Sequence, residues 1–362
     1  MRKRSRCMFV AVLLAFVVQT KGDLIYNVVD LGTIPGCTRT RAYSVNNAGQ
    51  VVGYGYGTGI PAAAILFDST GGGNATPLAP GEAVSVSYSI NDQGDIAGRV
   101  GGGVVLWGEH RMDIGAGYDA YSVNESRQVV GANSNGAVLF DISGSGNHTR
   151  LGSGEATSIN NLEQIVGHQW SGRYQATLFD STGQGNNVAL GGLPGYSDSF
   201  TFGINDSGQA VGRVWYGGSP YNGSAVLFDM TGGGNNTDLG YLPGSTDATA
   251  AFAINDRGQI VGSALGDAYR PSRAVLFDGS GAGENTDLNS LIDPLLGWEL
   301  WEARSINDKG WIAGIGCHAG YETAFLLIPV AQPVPVPVPG AVLLGSLGLT
   351  YAGCLLRHRR VS

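Results

Sequence analysis

Five glycine-rich loops carry the same set of oxygen donors: Asp68 with Gly71, Gly73 and Asn74; Asp141 with Gly144, Gly146 and Asn147; Asp180 with Gly183, Gly185 and Asn186; Asp229 with Gly232, Gly234 and Asn235; and Asp278 with Gly281, Gly283 and Asn285, the last one place further on. Carboxylate, amide and carbonyl oxygens on a loop bent by glycine are what a hard cation such as Ca2+ takes, but a tight site draws on two or more carboxylates and each loop has one. A hairpin turn is the expected role, Ca2+ is a minor alternative, and no cofactor is expected. His110, His148, His168 and His318 fall in four different stretches of chain with no metal-ligand spacing between them, and His358 lies near the C-terminus. They are expected in loops. No nucleophile motif or phosphate-binding loop occurs. The chain is therefore not expected to be an enzyme, and a pocket bringing one histidine against two carboxylates would revive an enzyme reading.

Aromatic residues offer a different chemistry. Trp170, Trp215, Tyr216 and Tyr221, with Tyr54, Tyr56, Tyr174 and Tyr269, occupy equivalent variable stretches, so they are expected on one face. Rings with an apolar body and a polar tip suit carbohydrate stacking. Packing between neighbouring structural units is the alternative use.

The elements that place these residues are written as a repeat. A ten-residue phrase occurs seven times, from Ser44–Gly53 (SVNNAGQVVG) to Ser305–Gly314, with Val or Ile then Asn at its second and third places and Gly at its tenth. The seven asparagines are Asn46, Asn91, Asn124, Asn160, Asn205, Asn255 and Asn307. Each phrase is a predicted hairpin, and four copies spell Asn-Asp-x-Gly, whose side-chain carbonyls close a turn while Gly takes positive φ. Arg127 and Glu163 stand where that Gly would be, which predicts strained turns and the two least regular units. A second element such as Ala64–Asp68 (AILFD) or Ala137–Asp141 (AVLFD) runs apolar without alternation, as a strand covered on both faces does. A third, such as Thr237–Gly240, follows the glycine loops six times, and its seventh copy, Val28–Gly32 (VVDLG), precedes the first phrase.

That displaced copy implies closure. Seven four-stranded units whose last sheet borrows its outer strand from the start of the chain make an all-β, seven-bladed β-propeller, with an open β-solenoid of the same repeats as the alternative. Closure also removes exposed sheet edges. Cys37 follows the borrowed strand and Cys317 lies in the last unit, so a disulfide between them is expected to staple the ring. Cys354 is a small apolar filler in the tail.

The ends read as addresses. Arg2–Arg6 and the apolar run Cys7–Val18 predict a signal peptide over residues 1–22, with an uncleaved anchor as the alternative. Residues 23–330 form the repeat domain, 331–339 a proline-rich extended spacer, and 340–362 a short transmembrane helix stopped by arginines. The formal charge of −8 and the absence of basic clusters inside the repeats argue against nucleic acid as a partner.

Two resemblances add to this. Pro337, Val338, Pro339, the Gly/Leu-rich helix and Arg357, Arg359 and Arg360 resemble the PEP-CTERM sorting signal of exported Gram-negative proteins, with Val338 at the usual Glu position. That resemblance implies a sorting protease of the exosortase type as a partner, and delivery to the cell surface or extracellular matrix; a plain membrane anchor is the alternative. The body, from about Asp30 to Ile328, resembles the HAF-repeat family of extracellular bacterial proteins, which implies export and repetition and brings no chemistry. The expected function is a structural or adhesive repeat protein of the envelope, the alternative a lectin-like module that binds exopolysaccharide through Trp170, Trp215, Tyr216 and Tyr221.

Overall fold

The computed structural model describes residues 26–330 except 83, 117–118, 144, 218–221 and 267–270. The expected signal peptide, spacer and tail, including Pro337, Val338, Pro339, Cys354, Arg357, His358, Arg359 and Arg360, lie outside the described residues, as do Gly144, Tyr221 and Tyr269. Among the described residues no helix is long and apolar enough to cross a membrane.

Seven antiparallel sheets of four strands follow one another along the chain. Six are built from consecutive strands, from blade 1, which begins at Arg39–Val45, to blade 6, which ends at Thr286–Asp287. Blade 7 takes three strands from residues 298–329 and its outermost from the start of the chain, Tyr26–Asp30, with Val29 opposite Leu326 and Asp30 opposite Phe325. The ring is closed, so the open solenoid is excluded. Further bonds tie blades 7 and 1: both Arg41 nitrogens reach the Glu322 carboxylate at 2.6 and 3.2 Å, Tyr56 donates to it at 2.9 Å, and the Ala324 amide donates to Thr40 Oγ1 at 3.0 Å.

Apolar clusters bridge adjacent blades. Val166, Ala176 and Leu190 of blade 4 pack with Ile204, Ala210 and Val226 of blade 5. The third strands are buried on both sides, as their unbroken apolar runs require; Ala64 and Ile65 are inaccessible and Phe67 nearly so.

The tenth glycine of the phrase marks a β-bulge. In every blade the register slips between the first two strands, between Ala42 and Ser44 in blade 1 and between Thr201 and Gly203 in blade 5. A Cβ on Gly53 would overlap the Arg41 carbonyl oxygen, and one on Gly212 that of Phe200. The residue left over at the slip belongs to the strand nearest the axis, and in chain order these are Tyr43, Tyr88, Tyr121, Thr157, Phe202, Phe252 and Arg304. They meet their neighbours from blade to blade: Tyr43 contacts Tyr88 at 5.7 Å between centroids, Tyr88 contacts Tyr121 at 5.6 Å, Phe202 contacts Phe252 at 5.7 Å, and Arg304 lies over both Phe252 and Tyr43.

The repeated asparagines form a second circle. Each Nδ2 donates to the backbone carbonyl of the next blade's asparagine, from Asn46 through Asn91, Asn124, Asn160, Asn205, Asn255 and Asn307 back to Asn46, at 2.8–3.1 Å. Each Oδ1 accepts the amide four residues on, which closes the hairpin turn. One side chain thus shapes its own turn and joins two blades. Arg127 and Glu163 adopt φ of 61° and 63°, the left-handed conformation of the glycines they replace. Their turns are strained but keep the common shape, and blades 3 and 4 are complete four-stranded sheets; the irregular blades are 1 and 6, whose outer strands have two residues each. That corrects the expected location of the irregularity. The turn geometry is enforced by the asparagine bonds, so a side chain at the glycine position bends to it.

Candidate functional site

Two concave regions could act chemically. The axial mouth on the hairpin-turn face is lined by the asparagine circle and by the next residue in each blade, Asn47, Asp92, Glu125, Asn161, Asp206, Asp256 and Asp308. Five carboxylates so placed suggest a cation, yet each side chain accepts the backbone N–H of the preceding blade's equivalent residue, at 2.6–2.9 Å around the full ring. The carboxylates are thereby used as stitches. Among the described residues no group of three or more His, Cys, Asp or Glu side chains is arranged to hold a metal ion.

The five loop aspartates serve their own turns. Asp68 accepts from the Thr70 amide and hydroxyl through one oxygen and from the Asn74 amide and side chain through the other. These donors lower its pKa to about 2, and the same bonds lower Asp229 to about 2 and depress Asp141, Asp180 and Asp278. Sequence reasoning passed over the residue seven places after the aspartate at Asn187 and Asn236, and equated Asn285 with the loop position six places on. Asn187, Asn236 and Asn285 accept the aspartate's amide and donate to a carbonyl of the preceding blade, Leu151, Leu190 and Leu239 respectively.

The second region lies on the opposite face, where the second and third strands of each blade are joined. A cavity of about 720 Å³ between blades 3 and 4 is lined by Asp119, Tyr121, Glu155, His168, Trp170, Tyr174 and Phe200, with Ala132, Asn133 and Gly154. The connection between these blades is short. The outer strand of blade 3 ends at Gly152 and the inner strand of blade 4 starts at Glu155, so two residues cross where blades 4 and 5 are linked by residues 192–197. The same face carries Trp215 and Tyr216. Trp170 is 52% exposed and packs edge-on against Tyr174 at 4.6 Å; Tyr174 continues to Phe200 at 4.6 Å, and Phe200 stacks on Trp215 at 4.0 Å. Trp215 also receives Arg213 on its ring at 4.9 Å, so it supports the platform from behind. Tyr216, 63% exposed, stands on the neighbouring rim. Of the three candidate glycan-binding residues that are described, Trp170 alone lines this cleft.

His168 is 5% exposed, lies 4.2 Å from the Phe200 ring, and its Nδ1 has no protein hydrogen-bond partner. Burial lowers its pKa to about 4, which keeps the imidazole neutral. Burial raises that of Glu155, against the opposing effect of a hydrogen bond from Tyr121. Asp119 forms an ion pair with Arg99 at 3.3 Å, off the alignment of a hydrogen bond. His168 and His318 lie on strands, which corrects their expected place in loops; His318 binds Asp30 at 2.8 Å and stacks on Trp298, while His148 accepts the Asp141 amide.

The expected disulfide is absent: Cys37 and Cys317 are free thiols. Cys37 turns into the apolar cluster of blades 7 and 1, in contact with the backbone of Gly55, and its burial raises the thiol pKa. Cys317 sits mid-sheet in blade 7, opposite Glu299 and Glu322. Both ends of the proposed staple are near the closure, but Cys37 lies in the turn before the first strand of blade 1 and Cys317 on a strand of blade 7, in different surroundings.

No family model and no curated protein matches the chain. Among solved structures, a structural-genomics protein of unknown function from Bacteroides thetaiotaomicron aligns at TM-score 0.41 and 10% identity, over 84% of this chain and 76% of its own. Streptogramin B lyase aligns at TM-score 0.41 and 9% identity, over 84% of this chain and 98% of its own. Neither similarity bears on activity.

Proposed function

We propose that this chain is an exported, non-catalytic adhesive protein whose propeller binds saccharide in the cleft between blades 3 and 4. One observation carries the proposal: an exposed Trp170–Tyr174 platform stands beside a buried histidine nitrogen that the protein leaves without a partner. A buried polar atom without a partner is costly, and a sugar hydroxyl at that place would remove the cost while its apolar face stacks on the rings. Glu155 and Asp119 supply acceptors for further hydroxyls. The signal peptide and the PEP-CTERM-like tail expected from sequence would deliver the domain to the surface or matrix, where exopolysaccharide is the available ligand.

The test is a glycan array probed with the full chain, followed by titration of the best hits. Trp170→Ala and Tyr174→Ala should each weaken binding about tenfold with thermal stability retained. An array without hits, or hits indifferent to both substitutions, refutes the proposal.

A catalytic second reading is favoured by the meeting of one histidine with two carboxylates in this cleft. Glu155 with its raised pKa would be the acid of a glycosidic cleavage. Binding is preferred because Tyr121 and Arg99 already engage the two carboxylates. New reducing ends from array-positive polysaccharides, lost in Glu155→Gln, would establish catalysis.

A further inference from the structure

The cleft does not end at blade 4. Tyr174, which lines it, also lines a second cavity of about 350 Å³ with Arg173, Pro194, Tyr196 and Asp198. Pro194 and Tyr196 in turn border a third of about 460 Å³ with Tyr216, Asn222 and Tyr241. Each cavity taken alone has small-ligand dimensions.

We infer that the three cavities are one groove, crossing from blade 3 to blade 6 on a single face, which holds an extended and uncharged polysaccharide chain; this step rests on the saccharide-binding proposal above. Continuity is the first ground, since each neighbouring pair of cavities shares side chains. The second is the recurrence of aromatic walls: Trp170 and Tyr174 in the first cavity, Tyr174 and Tyr196 in the second, Tyr196, Tyr216 and Tyr241 in the third. Repeated rings with polar groups between them suit a polymer of repeated sugars, whereas a terminal sugar needs one platform. The hydroxyls of Tyr196 and Tyr241 approach to 3.4 Å and fix the two rings that border the third cavity. Charge selects the class of polymer. Asp119, Glu155 and Asp198 line the groove against Arg173, and the chain carries a formal charge of −8, so a polymer of uronic acids would be repelled.

The experiment titrates the full chain with glucose, galactose, mannose and N-acetylglucosamine oligomers of two and six units, and with a uronate hexamer. In the responsive neutral series the hexamer should bind roughly tenfold tighter than the dimer, and added NaCl should leave this affinity unchanged. Tyr216→Ala, at an exposed position that does not hold the fold, should weaken the hexamer about five- to tenfold and leave the dimer untouched. Trp170→Ala should weaken both. Equal affinity for dimer and hexamer, or a hexamer indifferent to Tyr216→Ala, overturns the extended groove while the cleft itself stands. Tighter, salt-sensitive binding of the uronate overturns the charge selection. Failure of every oligomer at every length removes the underlying saccharide proposal as well.

Discussion

The asparagine circle makes a quantitative prediction about what holds the ring together. Asn160→Ala deletes two donated bonds, to Gln164 Oε1 at 2.7 Å and to the Asn205 carbonyl at 2.9 Å, and two accepted ones, from the Gln164 and Leu162 amides at 2.8 and 3.1 Å. Asn160 is buried, and its loss leaves the Gln164 amide without a partner, whereas the Asn205 carbonyl keeps the Gly208 amide at 3.0 Å. An unsatisfied buried group costs about 1–3 kcal/mol, and the lost bond to the next blade adds about 1 kcal/mol. Asn161→Ala is the matched control. It also removes two bonds between blades, donated to Asp206 and accepted from the Glu125 amide, but at an exposed site where water takes them over, so it should cost less than about 1 kcal/mol. Guanidinium unfolding followed by fluorescence and circular dichroism would report both changes as midpoint shifts at constant slope. Equal small losses for Asn160→Ala and Asn161→Ala would show that the circle is an incidental consequence of closure rather than its cause.

Three further outcomes follow from single residues. Glu163→Gly should stabilise the protein by about 0.5–1 kcal/mol, because relief of the left-handed strain exceeds the added freedom of the unfolded chain; thermal melting measures it. Gly212→Ala should cost about 3 kcal/mol or more, or abolish soluble expression, because its Cβ collides with the Phe200 carbonyl across the bulge. His168 makes stability depend on pH: the unfolded imidazole takes a proton near 6.5 and the folded one only near 4, so acid favours unfolding. About 3 kcal/mol should be lost as pH falls from 6.5 to 4, with no contribution from this group above that window, and in His168→Phe this part of the slope should vanish.

Sequence carried the architecture because closure is a counting property. A ten-residue phrase present seven times and a third element displaced to the N-terminus leave Val28–Gly32 to complete the last sheet, and Asp30 indeed pairs with Phe325. The turn role of the loop aspartates was legible for a local reason, since donor and acceptor are within seven residues. What sequence hid depends on neighbours across blades. The strict asparagine was assigned to its own turn, yet one of its bonds goes to the next blade, 33–52 residues away in the first six blades. The bulge residues Tyr43, Tyr88 and Tyr121 stand just before the phrase, and the register slip that sets them outside the pairing of the strands is a property of the sheet, not of the local sequence. The cleft was hidden most deeply: Asp119, Glu155 and His168 belong to three strands in two blades, and each looks like an isolated departure from the repeat.

Those departures share a cause. Positions that the ring requires in every copy, the asparagine and the tenth glycine, gather on the hairpin-turn face and along the bulge, where every blade must meet its neighbour in the same way. The opposite face is free of that demand, and there the connections between blades vary. Where the connection is long, as at residues 192–197, Leu193 and Tyr196 fold in and join the apolar cluster between the blades. Where it shrinks to Ser153 and Gly154, His168, Glu155 and Asp119 line a hollow between blades 3 and 4. A paired departure supports this division. Asp95 replaces the usual Gln of the phrase and is met at 3.2 Å by Arg127, the residue that replaces the next copy's turn glycine. On the constrained face two substitutions compensate each other and the ring is unchanged. Across the molecule, the cleft beside Ser153 and Gly154 has no such compensating pair, and its space is available for a ligand.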